Sequence, residues 1–87
     1  MNDAVATLHQ VRAIVAAVAE RPVEEIAPEH RLVEDLDLDS LQVVEIAVRA
    51  EEQLGMPVDD ALLTRPAMTV AQCAQTVHDV AARKTLT

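Results

Sequence analysis

Ser40 is the residue of this chain whose side chain could best carry chemistry. It lies in residues 36–41, Leu-Asp-Leu-Asp-Ser-Leu, at the start of a segment that is strongly helical in composition as far as Leu54. A helix begins with backbone N–H groups that have no intrahelical acceptor, and with the positive end of the helix dipole. A phosphate esterified to the Ser40 hydroxyl would therefore be well placed.

Ser40 could instead be a catalytic nucleophile, but its neighbours do not favour a hydrolase. A nucleophile elbow needs glycine two residues before and two residues after the serine, where this chain has Leu38 and Gln42. A general base would have to come from one of three histidines, which we expect to be solvated surface residues: His9, His30 and His78. A small serine hydrolase is therefore a minor alternative.

The aspartates before Ser40 suggest a calcium loop at first sight. Asp35, Asp37 and Asp39 alternate like the first ligands of such a loop. Counting from Asp35, however, the sixth position is Ser40 where the loop needs glycine, and the twelfth is Ile46 where it needs glutamate. We therefore predict no dedicated metal site.

The composition is that of one small, acidic domain. The 87 residues include 15 Asp and Glu against 7 Lys and Arg, a formal net charge of −8, and no Phe, Tyr or Trp. This charge repels nucleic acid and anionic membranes, so basic protein partners are expected. Cys73 has no cysteine partner, no apolar run approaches the ~20 residues that cross a bilayer, and the N-terminus lacks a signal-peptide pattern. We expect a cytoplasmic monomer with one domain over residues 1–87.

Apolar spacing and capping signals predict an all-α fold. Helices are expected at about residues 3–20, 40–54, 59–64 and 69–83, with all four prolines and the single glycine outside them. Asp39 with Gln42, and Thr69 with Gln72, have the spacing of N-terminal caps. The prediction is a small four-helix bundle with three main helices, a short third helix and a long first loop.

Apolar residues at three- and four-residue spacing are expected to form the core. The first helix contributes Leu8, Val11, Val15 and Val18. The second contributes Leu41, Val44, Val48 and Leu54. The last contributes Val70, Cys73, Val77 and Val80, with Cys73 as a buried small apolar residue. The long loop is expected to be pinned by Val23, Ile26, Leu32, Val33 and Leu36.

Acidic residues are concentrated around Ser40 and along the helix that follows it. They are Glu34, Asp35, Asp37, Asp39, Glu45, Glu51 and Glu52. A solvated face is the ordinary explanation of such a pattern. Because clustering at one helix entrance costs self-repulsion around a hydroxyl group, a docking surface for basic proteins is the favoured interpretation.

Residues 32–41, Leu-Val-Glu-Asp-Leu-Asp-Leu-Asp-Ser-Leu, together with Val44-Glu45 and Glu51-Glu52, resemble the acyl carrier proteins of fatty acid and polyketide biosynthesis. The resemblance extends over nearly the whole chain. It implies a four-helix bundle in which a phosphopantetheinyl transferase attaches 4′-phosphopantetheine from coenzyme A to Ser40. The thiol of that arm would hold acyl groups as thioesters, and the protein would not be an enzyme.

The same resemblance implies which residues meet the arm and the partners. Asp39 and Leu41 would flank the attachment point, while Asp39, Glu45, Val48, Glu51 and Glu52 would contact partner enzymes. The implied partners are the transferase, an acyl-loading enzyme (an acyltransferase or an acyl-adenylate ligase), and a ketosynthase or other pathway enzyme. A peptidyl carrier of nonribosomal synthesis and an unmodified helical interaction module are the alternatives.

Three residues depart from what the family generally shows. Asp37 stands where the family usually has glycine, at a place where a left-handed backbone is useful, and aspartate tolerates that conformation better than most residues. Gln42 and Arg49 make the second helix less acidic. These departures favour a specialised pathway, such as polyketide synthesis, and the sequence ends favour a free-standing protein.

Overall fold

The computed structural model describes residues 3–55, 57–58 and 67–86. They form helix α1 (Asp3–Ala19), a 3-10 turn (Val23–Glu25), helix α2 (Ser40–Leu54) and helix α3 (Val70–Leu86). The all-α prediction is confirmed, and α3 runs three residues beyond its predicted end. The short helix predicted at residues 59–64 lies outside the described residues, so the count of four helices stays a prediction.

The predicted capping residues delimit the helices. Asp39 and Gln42 form a capping box at the start of α2, and Gly55 ends that helix in the left-handed conformation, with φ of 70°. At the start of α3, Gln72 N–H donates to Thr69 Oγ1 at 3.1 Å, and Thr69 N–H donates to Gln72 Oε1 at 3.0 Å. Local sequence therefore fixes where α2 begins and ends and where α3 begins.

Among the described residues, the core is aliphatic apart from one cysteine and one methionine. Helix α1 packs against both α2 and α3. Val11, Val15 and Val18 of the predicted α1 stripe are buried, and Leu8 packs at its edge. In α3, Val70, Cys73 and Val77 are buried, while Val80 is only half-buried. The core predictions for these two helices are confirmed except at Val80, which lies outside the core.

The predicted inner face of α2 is wrong. The buried residues are Val43, Ile46, Ala47 and Ala50. Leu41 is 79% exposed and Val48 43% exposed, while Val44 and Leu54 are half-buried. Both sets have helical spacing, but only the observed face puts two alanines and a fully buried isoleucine inward, so α2 can approach the bundle closely while burying a large side chain.

The connection between α1 and α2 is tied down by side chains and by hydrogen bonds. Ile26, Leu32 and Leu36 are buried and Val33 packs against the core, as predicted, but Val23 is 39% exposed, which is a correction. The Val23 residue is held through its backbone instead: Arg12 Nη2 donates to its carbonyl at 3.1 Å, and Arg12 Nε donates to the Ile26 carbonyl at 2.8 Å.

A short backbone contact joins this connection to the start of α3. Leu32 N–H donates to the Met68 carbonyl, and Val70 N–H donates to the His30 carbonyl, both at 2.9 Å, in an isolated antiparallel bridge between Arg31 and Thr69. This bridge places the loop that leads to Ser40 against the bundle. In the described part of the chain, no helix is long and apolar enough to cross a membrane.

Candidate functional site

Ser40 is the first residue of α2, and it is exposed. The amide groups of Ser40 and Leu41 belong to the first turn, so neither has an intrahelical acceptor. The dipole of a helix of 15 residues points its positive end at the same place. The Ser40 hydroxyl is therefore accessible, and the free amides beside it can bind a negatively charged group.

Asp39, the residue directly before Ser40, caps the N-terminus of α2. Its Oδ1 accepts from Gln42 N–H at 2.8 Å, and its own N–H donates to Gln42 Oε1 at 3.0 Å. The Asp39 carbonyl also accepts the first helical hydrogen bond, from Val43 N–H at 3.0 Å. These contacts fix the residue before Ser40 and the two residues that follow Leu41, so the backbone around Ser40 is held from both sides.

The loop before Ser40 is anchored by alternate residues. Leu36 and Leu38 are buried, while Asp37 and Asp39 are exposed. Asp37 has a φ of 57°, in the left-handed region, as expected at the position where the family usually has glycine. Leu38 N–H donates to the Leu32 carbonyl at 3.1 Å. The two leucines thus fasten the chain two and four residues before the serine.

Arg31 neutralises part of the acidic cluster. Its backbone N–H and its Nε both donate to Asp35 Oδ2, at 2.7 Å and 3.1 Å, and its Nη1 pairs with Glu34. The hydrogen bonds from Arg31 lower the pKa of Asp35, and the Asp35 carboxylate raises the pKa of Arg31. Glu34 and Asp35 therefore stabilise the loop, which the sequence analysis missed, although acidic residues three and four positions after an arginine are a recognisable signal.

The outward face of α2 combines apolar and acidic side chains. At about 100° per residue, Leu41, Glu45, Val48 and Glu52 lie within one narrow sector, and all four are exposed. The face begins one residue after Ser40. The exposure of Leu41 and Val48, which contradicts the predicted core, leaves both side chains free to contact another molecule.

Glu51 lies at the edge of this sector and has a structural contact. It is half-buried, and its Oε2 accepts from Val58 N–H at 2.8 Å. Glu45 also has a contact on the helix, because its Oε1 pairs with Arg49 Nη2 at 3.1 Å. The predicted partner-binding glutamates are therefore not equivalent, since Glu51 also holds the segment that follows α2.

The remaining residues that could carry chemistry are the histidines, Cys73 and the potential metal ligands. Among the described residues, no hydrogen bond joins a histidine to Ser40, and His30 Nδ1 instead accepts from Ala27 N–H at 3.1 Å. Cys73 is fully buried, and burial raises the pKa of its thiol to about 12, so it stays protonated at neutral pH. Within the described ranges, no group of three potential ligands could hold a metal ion.

Comparison with known proteins gives the same family as the motif around Ser40. Residues 9–77 match the family described as "Phosphopantetheine attachment site". The "Acyl carrier protein" of Thermobifida fusca is 45% identical over 47 residues, which cover 54% of this chain and 60% of that protein. The "Polyketide-8 synthase acyl carrier protein 2" of Streptomyces avermitilis is 42% identical over 55 residues, 63% of each chain.

A longer match comes from the "Acyl carrier protein" of Helicobacter hepaticus, which is 34% identical over 76 residues, covering 87% of this chain and 90% of that protein. The matches to the first two relatives span less than two thirds of their length. The family is one of carriers with covalently attached 4′-phosphopantetheine, not of catalysts. With both a family match over most of its length and a relative aligned almost end to end, this chain belongs to the acyl carrier protein family.

Proposed function

We propose that this protein carries acyl intermediates as thioesters on a 4′-phosphopantetheine arm attached to Ser40. The observation that supports it most directly is the exposure of Ser40 at the first position of α2. Ser40 is also the only serine in the sequence, so the family's attachment chemistry has one candidate residue. The arm would therefore be attached at the N-terminus of α2.

The first turn of α2 suits the phosphodiester that attachment creates. Modification would form a bond between Ser40 Oγ and the phosphorus of coenzyme A that bears pantetheine. The bond from that phosphorus to the bridging oxygen of the pyrophosphate breaks, adenosine 3′,5′-bisphosphate leaves, and the hydroxyl proton is released. The linking phosphate then keeps one negative charge. Asp39 already uses the Gln42 amide, so the amides of Ser40 and Leu41 are left to face that charge. Those two amides and the helix dipole offset the repulsion from the acidic residues nearby.

The outward face of α2 is the proposed docking surface for partner enzymes. Leu41 and Val48 supply apolar contact, Asp39, Glu45 and Glu52 supply charge, and Glu51 contributes from the edge. Exposed ion pairs contribute only ~0–1 kcal/mol each and act mainly on encounter rates. Such a surface suits a carrier that must leave the transferase, the loading enzyme and a ketosynthase after each visit.

The proposed pathway is a polyketide or other specialised one. The name of the Streptomyces avermitilis relative and the reduced acidity of α2 at Gln42 and Arg49 support this choice. Mass analysis of the thioester on protein purified from its source organism would identify the cargo. A fatty acyl chain typical of membrane lipids on that thioester would contradict the specialised pathway.

Attachment is tested by incubating the protein with coenzyme A and a broad-specificity phosphopantetheinyl transferase. Wild type should gain the mass of one phosphopantetheine, and Ser40→Ala should gain none. Thr76→Ala, which removes a hydroxyl from α3, is the matched control and should be modified like wild type. Failure of wild type to gain mass, or equal gain by Ser40→Ala, would overturn the proposal.

A further inference from the structure

The outward side of α2 includes one cation, and it can be reached from two directions. Arg49 is the only basic residue of α2, and its side chain and that of its ion-pair partner Glu45 are 45% and 49% exposed. Arg49 also lines a shallow groove of about 250 Å³ between α1 and α2, and the other lining residues are Ala13, Ile14, Ala17, Glu52 and Gln53. Because alanine side chains are short, a group approaching over α1 can reach the guanidinium.

The Glu45–Arg49 pair changes the charge pattern of the docking surface more than it changes stability. An exposed pair at this spacing stabilises a helix only modestly. Its electrostatic effect is to offset the charge of Glu45. Glu52 is then the acidic residue of the outward sector that forms no ion pair with another described residue. The outward sector therefore keeps the charge of Glu52, and its one cation, Arg49, lies on the flank that faces α1, where it shares a groove with Glu52.

We propose that Arg49 selects partner enzymes that place a carboxylate against it, beside the basic group they place against Glu52. This rests on the proposed function, because a partner docks here in order to reach Ser40. A uniformly basic partner surface would instead bring like charge against Arg49, and such juxtaposition discriminates strongly against a partner. The partner expected to show this is the phosphopantetheinyl transferase of the source organism.

Arg49 lies within the span of such a complex. It lies nine positions after Ser40, which corresponds to about 13.5 Å along the helix axis. A typical protein interface covers about 800 Å² on each partner, which is more than enough to include both positions. One enzyme can therefore contact Arg49 while its active site reaches Ser40.

The decisive variant exchanges the two charges of the ion pair. The double variant Glu45→Arg/Arg49→Glu keeps the net charge at −8 and keeps opposite charges four residues apart. We expect it to lower kcat/KM for modification by the source organism's transferase about tenfold, mainly through KM and less at high salt. Arg21→Glu, an exposed charge reversal just after α1, is the control and should stay within about twofold of wild type.

The outcomes separate this inference from the proposed function. A charge-exchanged variant that is modified as fast as wild type by this transferase overturns the role of Arg49, and so does faster modification of the single variant Arg49→Glu. Absence of modification of wild type by the broad-specificity transferase overturns the proposed function, and this inference with it. Circular dichroism of each variant verifies that α2 is still formed.

A chemical experiment can detect the partner carboxylate directly. Arg49→Lys keeps the positive charge and introduces an amine that a carbodiimide can couple to a carboxylate in contact with it. We expect a crosslinked peptide that joins position 49 to an acidic residue of the source organism's transferase, and none from Arg21→Lys. Crosslinking at both positions alike, or at neither, would contradict a carboxylate placed against Arg49.

Discussion

Asp39 and Gln42 exchange hydrogen bonds across the first turn of α2, from Gln42 N–H to Asp39 Oδ1 at 2.8 Å and from Asp39 N–H to Gln42 Oε1 at 3.0 Å. This reciprocal pair encloses Ser40 and Leu41, the residues at the proposed attachment point. It satisfies two amides and leaves those of Ser40 and Leu41 exposed to an incoming phosphate. The stability of α2 and the chemistry of Ser40 are therefore coupled at one place.

Removing the cap should destabilise the protein. Asp39→Ala deletes the acceptor for Gln42 N–H, and we expect the free energy of unfolding to fall by about 1 kcal/mol. Urea unfolding followed by circular dichroism measures it. Asp39→Asn retains a side-chain oxygen and should restore most of the loss. Equal stability of Asp39→Ala and wild type would show that the cap contributes nothing.

Backbone conformation at Asp37 predicts opposite effects of two substitutions. With φ of 57°, a β-branched side chain is strained, so Asp37→Val should lower the free energy of unfolding by about 1–2 kcal/mol. Asp37→Gly should leave it unchanged or raise it by up to about 1 kcal/mol. Glu29→Gly, at a loop residue without positive φ, should be mildly destabilising. A stable Asp37→Val variant would contradict the left-handed backbone before Ser40.

The Arg31–Asp35 contact should make stability depend on pH. Since hydrogen bonds from Arg31 lower the pKa of Asp35 in the folded state, the contribution is fully present above the ordinary value of 3.8. It is lost as the pH falls through the lower folded value, because the unfolded state binds the proton more readily. Asp35→Asn should therefore be less stable than wild type at pH 6, and the difference should shrink towards zero in acid.

Denaturant unfolding of both proteins across this pH range measures that difference. Glu24→Gln, which removes an exposed carboxylate from the same connection, is the control and should show a smaller difference. A difference between wild type and Asp35→Asn that grows on acidification would have the wrong sign for a lowered pKa.

The aromatic-free core should be able to part for a short acyl chain. In the described part of the chain, Val, Leu, Ile and Ala fill it with one Met and one Cys, and the sequence has no aromatic residue, so no large ring has to be displaced. We expect methyl chemical shifts of Val43 and Ile46 to change between the thiol form and a medium-chain acyl form. The exposed Val5 methyls serve as the control. Unchanged core methyls would place the chain outside the bundle.

Local signals determined most of the site. The Asp39 and Thr69 caps, the Gly55 stop and the position of Ser40 at a helix start follow from hydrogen-bonding rules that act over three or four residues. The left-handed backbone at Asp37 could be anticipated because few residue types tolerate it. These features need no knowledge of the rest of the chain, so the motif and the family were accessible from sequence.

The rotation of α2 was decided only by the tertiary structure. Leu41, Val44 and Val48 have the spacing of a buried stripe, and so do Val43, Ile46 and Ala50. Periodicity alone cannot choose between two apolar stripes on one helix, because both satisfy the same spacing. The choice depends on how closely the neighbouring helices can approach α2. It also depends on where the buried Leu36 and Leu38 hold the N-terminus of α2. That choice turned Leu41 and Val48 outward and made the helix after Ser40 a surface for other molecules.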